Sequence, residues 1–396
     1  YPADNTENSW RTTHYDYHSF ENNLLKLDIL GHDDPTMIKY FMDYVHKHQE
    51  QFPFSNPQDI PIDDKNIYRL FNSTEVINLT EKDLQSKVAS YAVPEFGTNF
   101  VRQMLVETLP KTFAQLVKIS GLSHGTDVWN TNAQDLVAGK TEFGTIDFKD
   151  VIGCRDDIMV YLLYMGLEPL TAFQIMEFVR KGKVSKDPEK WAKYRKAMEE
   201  KNVPAWYIWS CERIKYMFPK AHATAYVLMA LRIAWFKVYA PALFYSAWFS
   251  KRAKAYNVAA FLGGPMAIRA KIEELKNKVD QTVKDEDLIT SLQVALEMTL
   301  RGIKFLPVDI IKSSATIFEV EDGNIRLPFV AVDKLGESVA LDIVEKRNEK
   351  AFTSKKDVAK RTRLNSTLYE EFNEMHFFGN LPDEDKEATE GLFAFM

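Results

Sequence analysis

Two residues near the start of the chain, Lys26 and Asp28, are of types and spacing that could do chemistry. They lie in residues 24–31, a short apolar segment that is typical of a strand ending at a glycine turn. Because side chains alternate along a strand, Lys26 and Asp28 share one face. A carboxylate beside a lysine suits Mg²⁺ and a substrate phosphate, since Mg²⁺ combines one or two carboxylates with phosphate oxygens. The alternative is an ordinary surface ion pair.

Residues 120–126 contain glycine and several hydroxyl groups, and we interpret them as a polar turn between two helices. Backbone N–H groups in such turns can form a concave site for an anion. The side chains that this turn would present are those of Ser120, Ser123 and His124. A plain connector between two helices is the other interpretation of the same pattern.

Residues 153–157 predict the start of a helix, because Asp156 and Asp157 suit its positive end. For that reason neither aspartate is interpreted as a metal ligand. Arg155 lies beside them and can hold a phosphate through two parallel hydrogen bonds. An ion pair between Arg155 and a neighbouring carboxylate is the alternative.

Lys220, His222 and Tyr226 lie just before or within an apolar helix. His222 and Tyr226 are four positions apart and therefore share a helix face. Lys220 offers a point charge for a triphosphate, and Tyr226 offers a flat face for a base or a sugar. Phe218 would line the same pocket. The alternative is a histidine and a tyrosine packed into the core.

The elements that must position these residues are mostly helices. Apolar periodicity predicts helices over most of residues 67–255 and two more within residues 266–302. Residues 305–326 are predicted to be extended, with a turn at 321–324. After Pro328 the chain is predicted to be compact and helical to about residue 378.

Composition sets limits on the function. The 396 residues are 45% hydrophobic, enough for more than one core, and the net charge of -6 confines any nucleic-acid contact to local patches. Cys154 and Cys211 lack metal-ligand spacing, which favours a reducing, cytoplasmic setting. No signal peptide is recognised, and charges and a proline interrupt the most apolar stretch, residues 221–249, so we expect no membrane span.

Two basic segments could contact phosphates. Residues 180–201 carry nine Lys/Arg against four Asp/Glu, which fits either a solvated helix face or phosphate contact. A second cluster, opposed only by Asp357, consists of Lys355, Lys356, Lys360, Arg361 and Arg363. Each phosphate that it neutralises should steepen the salt dependence of duplex binding by about 0.9 in log–log slope. A solvated helical surface is again the alternative.

Residues 332–347 resemble a helix-hairpin-helix motif, in which a tight hairpin and a helix N-terminus bind a phosphate without reading sequence. The hairpin residues are Lys334, Leu335 and Gly336. Such hairpins usually carry Gly-hydrophobic-Gly, and here Lys334 replaces the first glycine. Lys334 could add a direct phosphate contact of its own.

Residues 13–18 and 25–31 together resemble a palm segment of bacterial C-family DNA polymerases, the DNA polymerase III alpha subunits, and most closely the PolC type of Gram-positive bacteria and mollicutes. The resemblance continues in the same order through residues 94–97, 120–129, 153–157 and 218–226. It covers nearly the whole chain. It implies a fold that is mostly α with minor β: the end of a palm sheet, a large helical fingers domain and a C-terminal helix-hairpin-helix duplex-binding domain.

The resemblance implies roles for the candidate residues. Asp28 matches the third catalytic aspartate of the family and would hold Mg²⁺, with Lys26 beside it. The family's first two aspartates form an Asp-x-Asp pair, for which no counterpart precedes Asp28. Two-metal phosphoryl transfer needs both ions clamped about 3.5–4 Å apart. The chain alone is therefore expected to be inactive.

The resemblance also places a group of residues near an incoming dNTP in the fingers. These residues are Ser120, Ser123, His124, Arg155, Phe218, Lys220, His222 and Tyr226. Primer-template DNA would be held by the hairpin and the second basic cluster. The reaction would be attack of a primer 3′-hydroxyl on the α-phosphate of the dNTP.

The resemblance also implies domain boundaries. We expect the end of the palm at residues 1–40, the fingers at 41–262, a duplex-binding region at 263–380 and a mobile tail at 381–396. Leu392 and Phe393 resemble the end of a sliding-clamp-binding peptide, although Thr389 replaces its usual first glutamine. The resemblance implies primer-template DNA, dNTP, the sliding clamp through this tail and other replisome proteins as partners, in a nucleoid-associated cytoplasmic assembly.

Two other functions would fit parts of the sequence. A non-catalytic helix-hairpin-helix module of repair or recombination explains residues 328–363 but not the motifs upstream. A helical scaffold that binds a clamp or another protein explains the tail and leaves the basic clusters without a role. An Asp-x-Asp pair upstream in the reading frame would favour the polymerase.

Overall fold

The computed structural model describes residues 11, 13–20, 23–25 and 31–384 of the chain. The chain forms two compact units, residues 1–33 and residues 34–396. In the first unit, Tyr17–Ser19 form a 3₁₀ turn, where the Tyr17 ring meets Phe20 edge-on at 5.7 Å between centroids. Lys26 and Asp28, with most of the predicted strand around them, lie outside the described residues.

The second unit is mainly helical, which confirms the predicted fold class of mostly α with minor β. Its helices through the first half of the chain are α1 (Asp33–Lys47), α2 (Lys65–Arg69), α3 (Glu81–Leu84), α4 (Asn99–Thr108), α5 (Phe113–His124), α6 (Gln134–Val137), α7 (Arg155–Tyr164), α8 (Pro169–Arg180) and α9 (Pro188–Glu200). The second half contributes α10 (Ala205–Arg213), α11 (Lys220–Tyr239), α12 (Pro241–Lys251), α13 (Val258–Leu262), α14 (Gly264–Lys276), α15 (Val283–Leu300), α16 (Glu337–Glu349), α17 (Lys355–Arg361) and α18 (Ser366–Glu374).

The minor β-structure is a three-stranded sheet of β1 (Phe305–Leu306), β2 (Glu319–Glu321) and β3 (Asn324–Arg326), in the order β1-β3-β2. β2 and β3 form an antiparallel hairpin in which Glu321 pairs with Asn324. The two residues between them, Asp322 and Gly323, have positive φ, as a tight hairpin turn requires. The turn predicted at residues 321–324 is therefore confirmed.

Helix α11 is enclosed by other helices of the second unit. It packs against α2, α5, α7 and α12, and its buried residues face several sides of the helix. A helix that is apolar on most sides is stable only when its neighbours enclose it. No helix within the described part of the chain is both long and apolar enough to cross a lipid bilayer.

The predicted polar turn at residues 120–126 is wrong for its first five residues. Ser120 to His124 belong to the last turns of α5, and Ser120, Gly121 and Leu122 are buried. A Cβ atom at position 121 would lie 2.6 Å from the carbonyl oxygen of Gly153. Glycine is present here because two backbones approach each other closely, and the chain turns only after His124.

A buried polar network joins α11, α12 and α15. Lys237 Nζ lies 2.7 Å from Glu297 Oε1, and Tyr245 donates its hydroxyl hydrogen to the same oxygen at 2.6 Å. Lys237 also donates to the carbonyl oxygens of Ala89 and Tyr91, at 2.7 and 2.5 Å. The network therefore fixes the last turns of α11 to the loop that precedes α4.

Candidate nucleotide and nucleic-acid sites

The N-terminal ends of α7 and α11 meet beside the C-terminal end of α5. The Arg155 backbone N–H donates to Phe218 O at 3.2 Å, and the Lys220 backbone N–H donates to Asp156 Oδ2 at 2.6 Å. Lys220 Nζ donates to Asp157 Oδ1 at 3.1 Å. Arg155 and Lys220, which are 65 positions apart in the sequence, are thereby brought to one place.

Asp157 stabilises the start of α7. Its Oδ2 accepts hydrogen bonds from the backbone N–H groups of Gly153 and Cys154, at 3.0 and 3.1 Å. α7 begins at Arg155, as the two first-turn aspartates predict. Arg155 Nε lies 4.0 Å from Asp156 Oδ2, so the ion-pair alternative is present as a loose contact. Both carboxylates accept from backbone N–H groups at helix starts, and each also lies within 4.0 Å of a cation, Lys220 beside Asp157 and Arg155 beside Asp156.

Four aromatic side chains form a continuous row next to these cations. Ring centroids lie 5.4 Å apart for His124 and Phe218, 4.9 Å for Phe218 and His222, and 4.4 Å for His222 and Tyr226. Phe218, His222 and Tyr226 are half-buried, so each keeps part of its surface accessible. Aromatic faces of this kind can stack on a base or a sugar.

Backbone pairing between two loops brings the row together. Thr126 and Tyr216 form an antiparallel bridge, in which the Thr126 N–H donates to Tyr216 O at 2.9 Å. Lys215 Nζ and Asp127 Oδ2 are 2.6 Å apart beside it. Phe218, two residues beyond the bridge, is therefore placed against His124 at the end of α5.

The two predicted serines differ in their surroundings. Ser120 is buried, and its hydroxyl donates to Glu95 Oε2 at 3.3 Å. Ser123 donates to the Ser120 carbonyl oxygen within α5, at 2.9 Å. Neither hydroxyl belongs to an anion-binding turn, since both residues are helical.

Glu95 contacts two of the predicted site residues, and its spacing in the sequence does not indicate this. His124 donates from Nε2 to Glu95 Oε2 at 2.5 Å, so this carboxylate is shared between His124 and Ser120. Burial disfavours the ionised carboxylate, but the bonds from His124 and Ser120 outweigh it and hold the pKa of Glu95 below its usual value. The bond to Glu95 raises the pKa of His124. No local pattern relates two residues 29 positions apart, although residues 94–97 belong to the resemblance described above.

The Lys220 ammonium is partly enclosed. Burial alone would lower its pKa, but the carboxylate of Asp157 outweighs that effect and the pKa of Lys220 is raised. Lys220 therefore stays charged across the neutral range. Together, the row and the two cations form a surface that can hold a flat base or sugar beside a polyphosphate.

The predicted hairpin lies immediately before α16. Lys334 has φ of 61°, the left-handed conformation that glycine usually supplies at the first position of such hairpins. Leu335 is buried, and Gly336 caps α16 without a side-chain hydrogen bond. The hairpin geometry is thus adopted with lysine in place of glycine, and Lys334 is exposed at its tip.

The second basic cluster is more heavily paired than the sequence predicts. Lys355 Nζ lies 2.7 Å from Asp383 Oδ1, Lys356 Nζ lies 3.1 Å from Glu384 Oε1, and Arg363 Nε lies 3.6 Å from Asp342 Oδ1. Asp357 is therefore not the only opposing carboxylate, because chain folding brings three others to the cluster. Lys356 and Arg363 still expose 72% and 73% of their side chains.

Arg361 has a structural role. It donates to Asp357 Oδ2 at 3.0 Å and to the carbonyl oxygens of Lys346 and Lys350, at 2.5 and 2.8 Å. These carbonyls belong to the last turn and the C-cap of α16, and the Lys346 carbonyl oxygen also accepts from the Lys350 N–H at 3.2 Å. Only 19% of the Arg361 side chain is exposed.

Two predicted sites lie outside the described residues. Leu392 and Phe393, the possible clamp-binding residues, and Lys26 with Asp28 are not among them. Within the described residues, no three His, Cys, Asp or Glu side chains are arranged to hold a metal ion.

Comparisons with known proteins identify relatives along nearly the whole chain. Residues 34–202 match the bacterial DNA polymerase III alpha subunit finger domain, and residues 302–388 match a helix-hairpin-helix motif. Proteins named DNA polymerase III PolC-type from Halalkalibacterium halodurans, Bacillus cereus and Streptococcus pyogenes are 48%, 49% and 48% identical over 98% of the chain. The chain spans 26% of the length of each of these relatives.

Proposed function

Because the chain belongs to the PolC-type DNA polymerase III family, we propose that it supplies the nucleotide-binding and duplex-binding parts of a DNA-directed DNA polymerase. The polymerase would add dNTPs to the 3′-end of a primer. The observation that carries the proposal is the convergence of Lys220, Arg155 and the aromatic row within one surface. A non-catalytic DNA-binding module would have no use for that surface.

The incoming dNTP would lie along the aromatic row. Lys220 and Arg155 would bind its phosphates, since both are cations beside two helix N-termini. His222 and Tyr226 would contact the sugar or the base, and Phe218 would pack against the His222 ring. Such contacts hold the α-phosphate in place for attack, and positioning of this kind is a large part of phosphoryl-transfer catalysis.

Among the described residues, no group of three His, Cys, Asp or Glu side chains could hold a metal ion. The metal would belong to Asp28 together with further carboxylates, as the family resemblance implies. When bound, Mg²⁺ would neutralise charge on the phosphates during transfer. The described residues are accordingly assigned to binding and orientation.

Primer-template DNA would be held at the C-terminal part of the chain. Lys334 and the exposed N-terminus of α16 would contact one phosphate, and Lys356 and Arg363 would contact others. Lys355 and Arg361 are assigned a structural role instead, because each is bonded within the fold and mostly buried. Leu335 supports the hairpin from the core side.

The predicted boundaries, with fingers at residues 41–262 and a duplex-binding region at 263–380, form part of this proposal. So does binding of the sliding clamp through Leu392 and Phe393, and a place in a nucleoid-associated replisome with other proteins. Pull-down of the clamp by the wild-type chain, but not by a Leu392→Ala/Phe393→Ala variant, would support the clamp contact.

The nucleotide site is tested by equilibrium binding of a dNTP with Mg²⁺ to this chain, with Lys220→Ala as the test variant. We expect Lys220→Ala to weaken binding at least about tenfold, the loss of roughly one charge-assisted contact. Lys196→Ala, an exposed lysine on α9, is the matched control and should bind like wild type. Equal binding by wild type and Lys220→Ala would remove Lys220 from the site.

The duplex site is tested by fluorescence anisotropy of a labelled primer-template at several salt concentrations. A variant with Lys334, Lys356 and Arg363 changed to Ala should lose about 0.9 in log–log salt slope for each phosphate contact removed. Three exposed lysines elsewhere, Lys39, Lys111 and Lys140, provide a control of equal charge change. An equal loss in both triple variants would show non-specific attraction rather than a site.

A further inference from the structure

The loop that carries Glu95 is held in an unusual conformation. Ala92 and Glu95 both have left-handed backbone, with φ of 63° and 66°. L-residues with a Cβ rarely adopt this conformation, and where they do so the surrounding structure must impose it. Lys237 fixes the start of the loop through the carbonyls of Ala89 and Tyr91, and Ser90 donates to Phe96 O at 2.7 Å to close it.

The consequence of this conformation is the direction of the Glu95 side chain. Its carboxylate reaches the end of α5, where it accepts from His124 Nε2 at 2.5 Å and from the Ser120 hydroxyl at 3.3 Å. Only 12% of the side chain is exposed, so the carboxylate is shielded from water on most sides. A shielded, charge-assisted bond of this length fixes both partners in orientation.

His124 is the first ring of the aromatic row. Its centroid lies 5.4 Å from that of Phe218 and 6.1 Å from that of His222, which it meets edge-on. Because Glu95 binds Nε2, Nδ1 is the ring nitrogen that remains for a ligand. The His124 side chain is 36% exposed, so part of the ring is accessible to a ligand.

We propose that Glu95 is a positioning residue for the incoming nucleotide, one that holds His124 as an oriented imidazolium at the end of the aromatic row. This inference rests on the proposed function, because it presumes that the row binds a dNTP. His124 would then present an N–H donor from Nδ1 to a phosphate or sugar oxygen of the nucleotide. Glu95 itself would not touch the nucleotide.

The charged surroundings of His124 decide its pH dependence. Glu95 faces it from the loop, and His222 and Tyr226 face the same region from α11. The bond to Glu95 raises the pKa of His124, so the imidazolium persists to higher pH than in an isolated histidine. Without that carboxylate, His124 would lose its proton at lower pH. The neutral tautomer that carries its hydrogen on Nε2 has no N–H donor at Nδ1.

The experiment is dNTP binding with Mg²⁺ as a function of pH, for wild type, Glu95→Gln, His124→Ala and the double variant. We expect Glu95→Gln to weaken binding at neutral pH by about five- to tenfold and to move the fall in affinity to lower pH. Glu107→Gln, an exposed carboxylate on α4 that pairs with glutamines, is the matched control. Thermal unfolding checks that each variant is folded.

The double variant separates positioning from a general structural effect. If Glu95 acts through His124, then Glu95→Gln should have no further effect on affinity once His124 is alanine. If wild type binds dNTP and Glu95→Gln binds it with the same affinity and pH profile, this inference is overturned and the proposed function stands. An additive loss in the double variant would also overturn it. Absence of dNTP binding in wild type would contradict the proposed function, and the inference with it.

Discussion

Lys237 Nζ lies 2.7 Å from Glu297 Oε1, and neither side chain has any exposed surface. Burial lowers the pKa of Lys237 to about 8, although the carboxylate of Glu297 opposes that shift. Glu297 Oε2 has no hydrogen-bond partner within the described part of the chain. The pair is therefore a buried charge pair whose partners depend on each other.

Breaking this pair from one side should be strongly destabilising. We expect Lys237→Met to lower the free energy of unfolding by about 3–5 kcal/mol, because the buried Glu297 carboxylate would lose the ammonium group beside it. The double variant Lys237→Met/Glu297→Leu should recover at least about 1 kcal/mol of that loss, since no lone charge remains. Urea denaturation measures both values. A double variant that is less stable than Lys237→Met would contradict the explanation.

Acid should weaken the β2–β3 hairpin through Glu321. The hydrogen bond from Arg326, with a smaller one from Lys312, lowers the pKa of Glu321 to about 2. Because its folded pKa lies below the unfolded value of 4.5, its stabilisation is present above about pH 4.5 and is lost as pH falls toward 2. Glu321→Gln should therefore be less stable than wild type at neutral pH, with a difference that disappears near pH 2. Urea midpoints of wild type and Glu321→Gln across this pH range measure the difference, with Glu370→Gln as an exposed control. A difference between wild type and Glu321→Gln that does not change with pH would show that the ion pair does not contribute.

Lys334 holds a left-handed conformation at a cost. We expect Lys334→Gly to raise the free energy of unfolding by about 0.5–1 kcal/mol, because relief of the left-handed penalty exceeds the entropy cost of glycine. Lys334→Asn should be nearly neutral, whereas Lys334→Val should destabilise, since a β-branched residue tolerates this backbone poorly. Thermal unfolding should show that the Gly variant is the most stable of the three, followed by the Asn variant and then the Val variant. Equal stability of all three would mean that the hairpin relaxes freely.

Gly121 should accept no side chain. A Cβ there would lie 2.6 Å from Gly153 O, so Gly121→Ala must separate α5 from the segment before α7, at a cost of about 1–3 kcal/mol. The same separation would displace Arg155 from the end of α5, so dNTP affinity should fall with stability. Ser123→Ala, on the same helix, should leave stability within about 1 kcal/mol because its hydroxyl bonds only within α5. Wild-type stability in Gly121→Ala would show that the close approach is not required.

Local signals in the sequence predicted most of the fold. The start of α7 and the β-turn at residues 321–324 follow from residue types that act within a few positions. The extent of α5 could not be predicted in this way, because Gly121 allows a close contact with Gly153, which lies 32 positions away in the sequence. A glycine needed for packing and a glycine needed for a turn look alike in a single sequence.

The candidate site shows the same division. The resemblance selected Arg155, Lys220, His222 and Tyr226, and the structure brings these four to one surface. Glu95 could not be found from spacing, because its direction depends on a left-handed backbone that other parts of the fold impose. The charge of Arg361 is visible in the sequence, but the direction of its side chain toward two carbonyls at the end of α16 is not.

Helix α11 carries Lys220 at its first position and Lys237 in its last turn. The two residues are separated by about 25 Å of rigid helix, at 1.5 Å per residue. A tilt of about 5° around the buried end would sweep Lys220 sideways by about 2 Å, enough to break a hydrogen bond. A small change in packing around Lys237 would therefore be amplified along α11 into a larger displacement of Lys220.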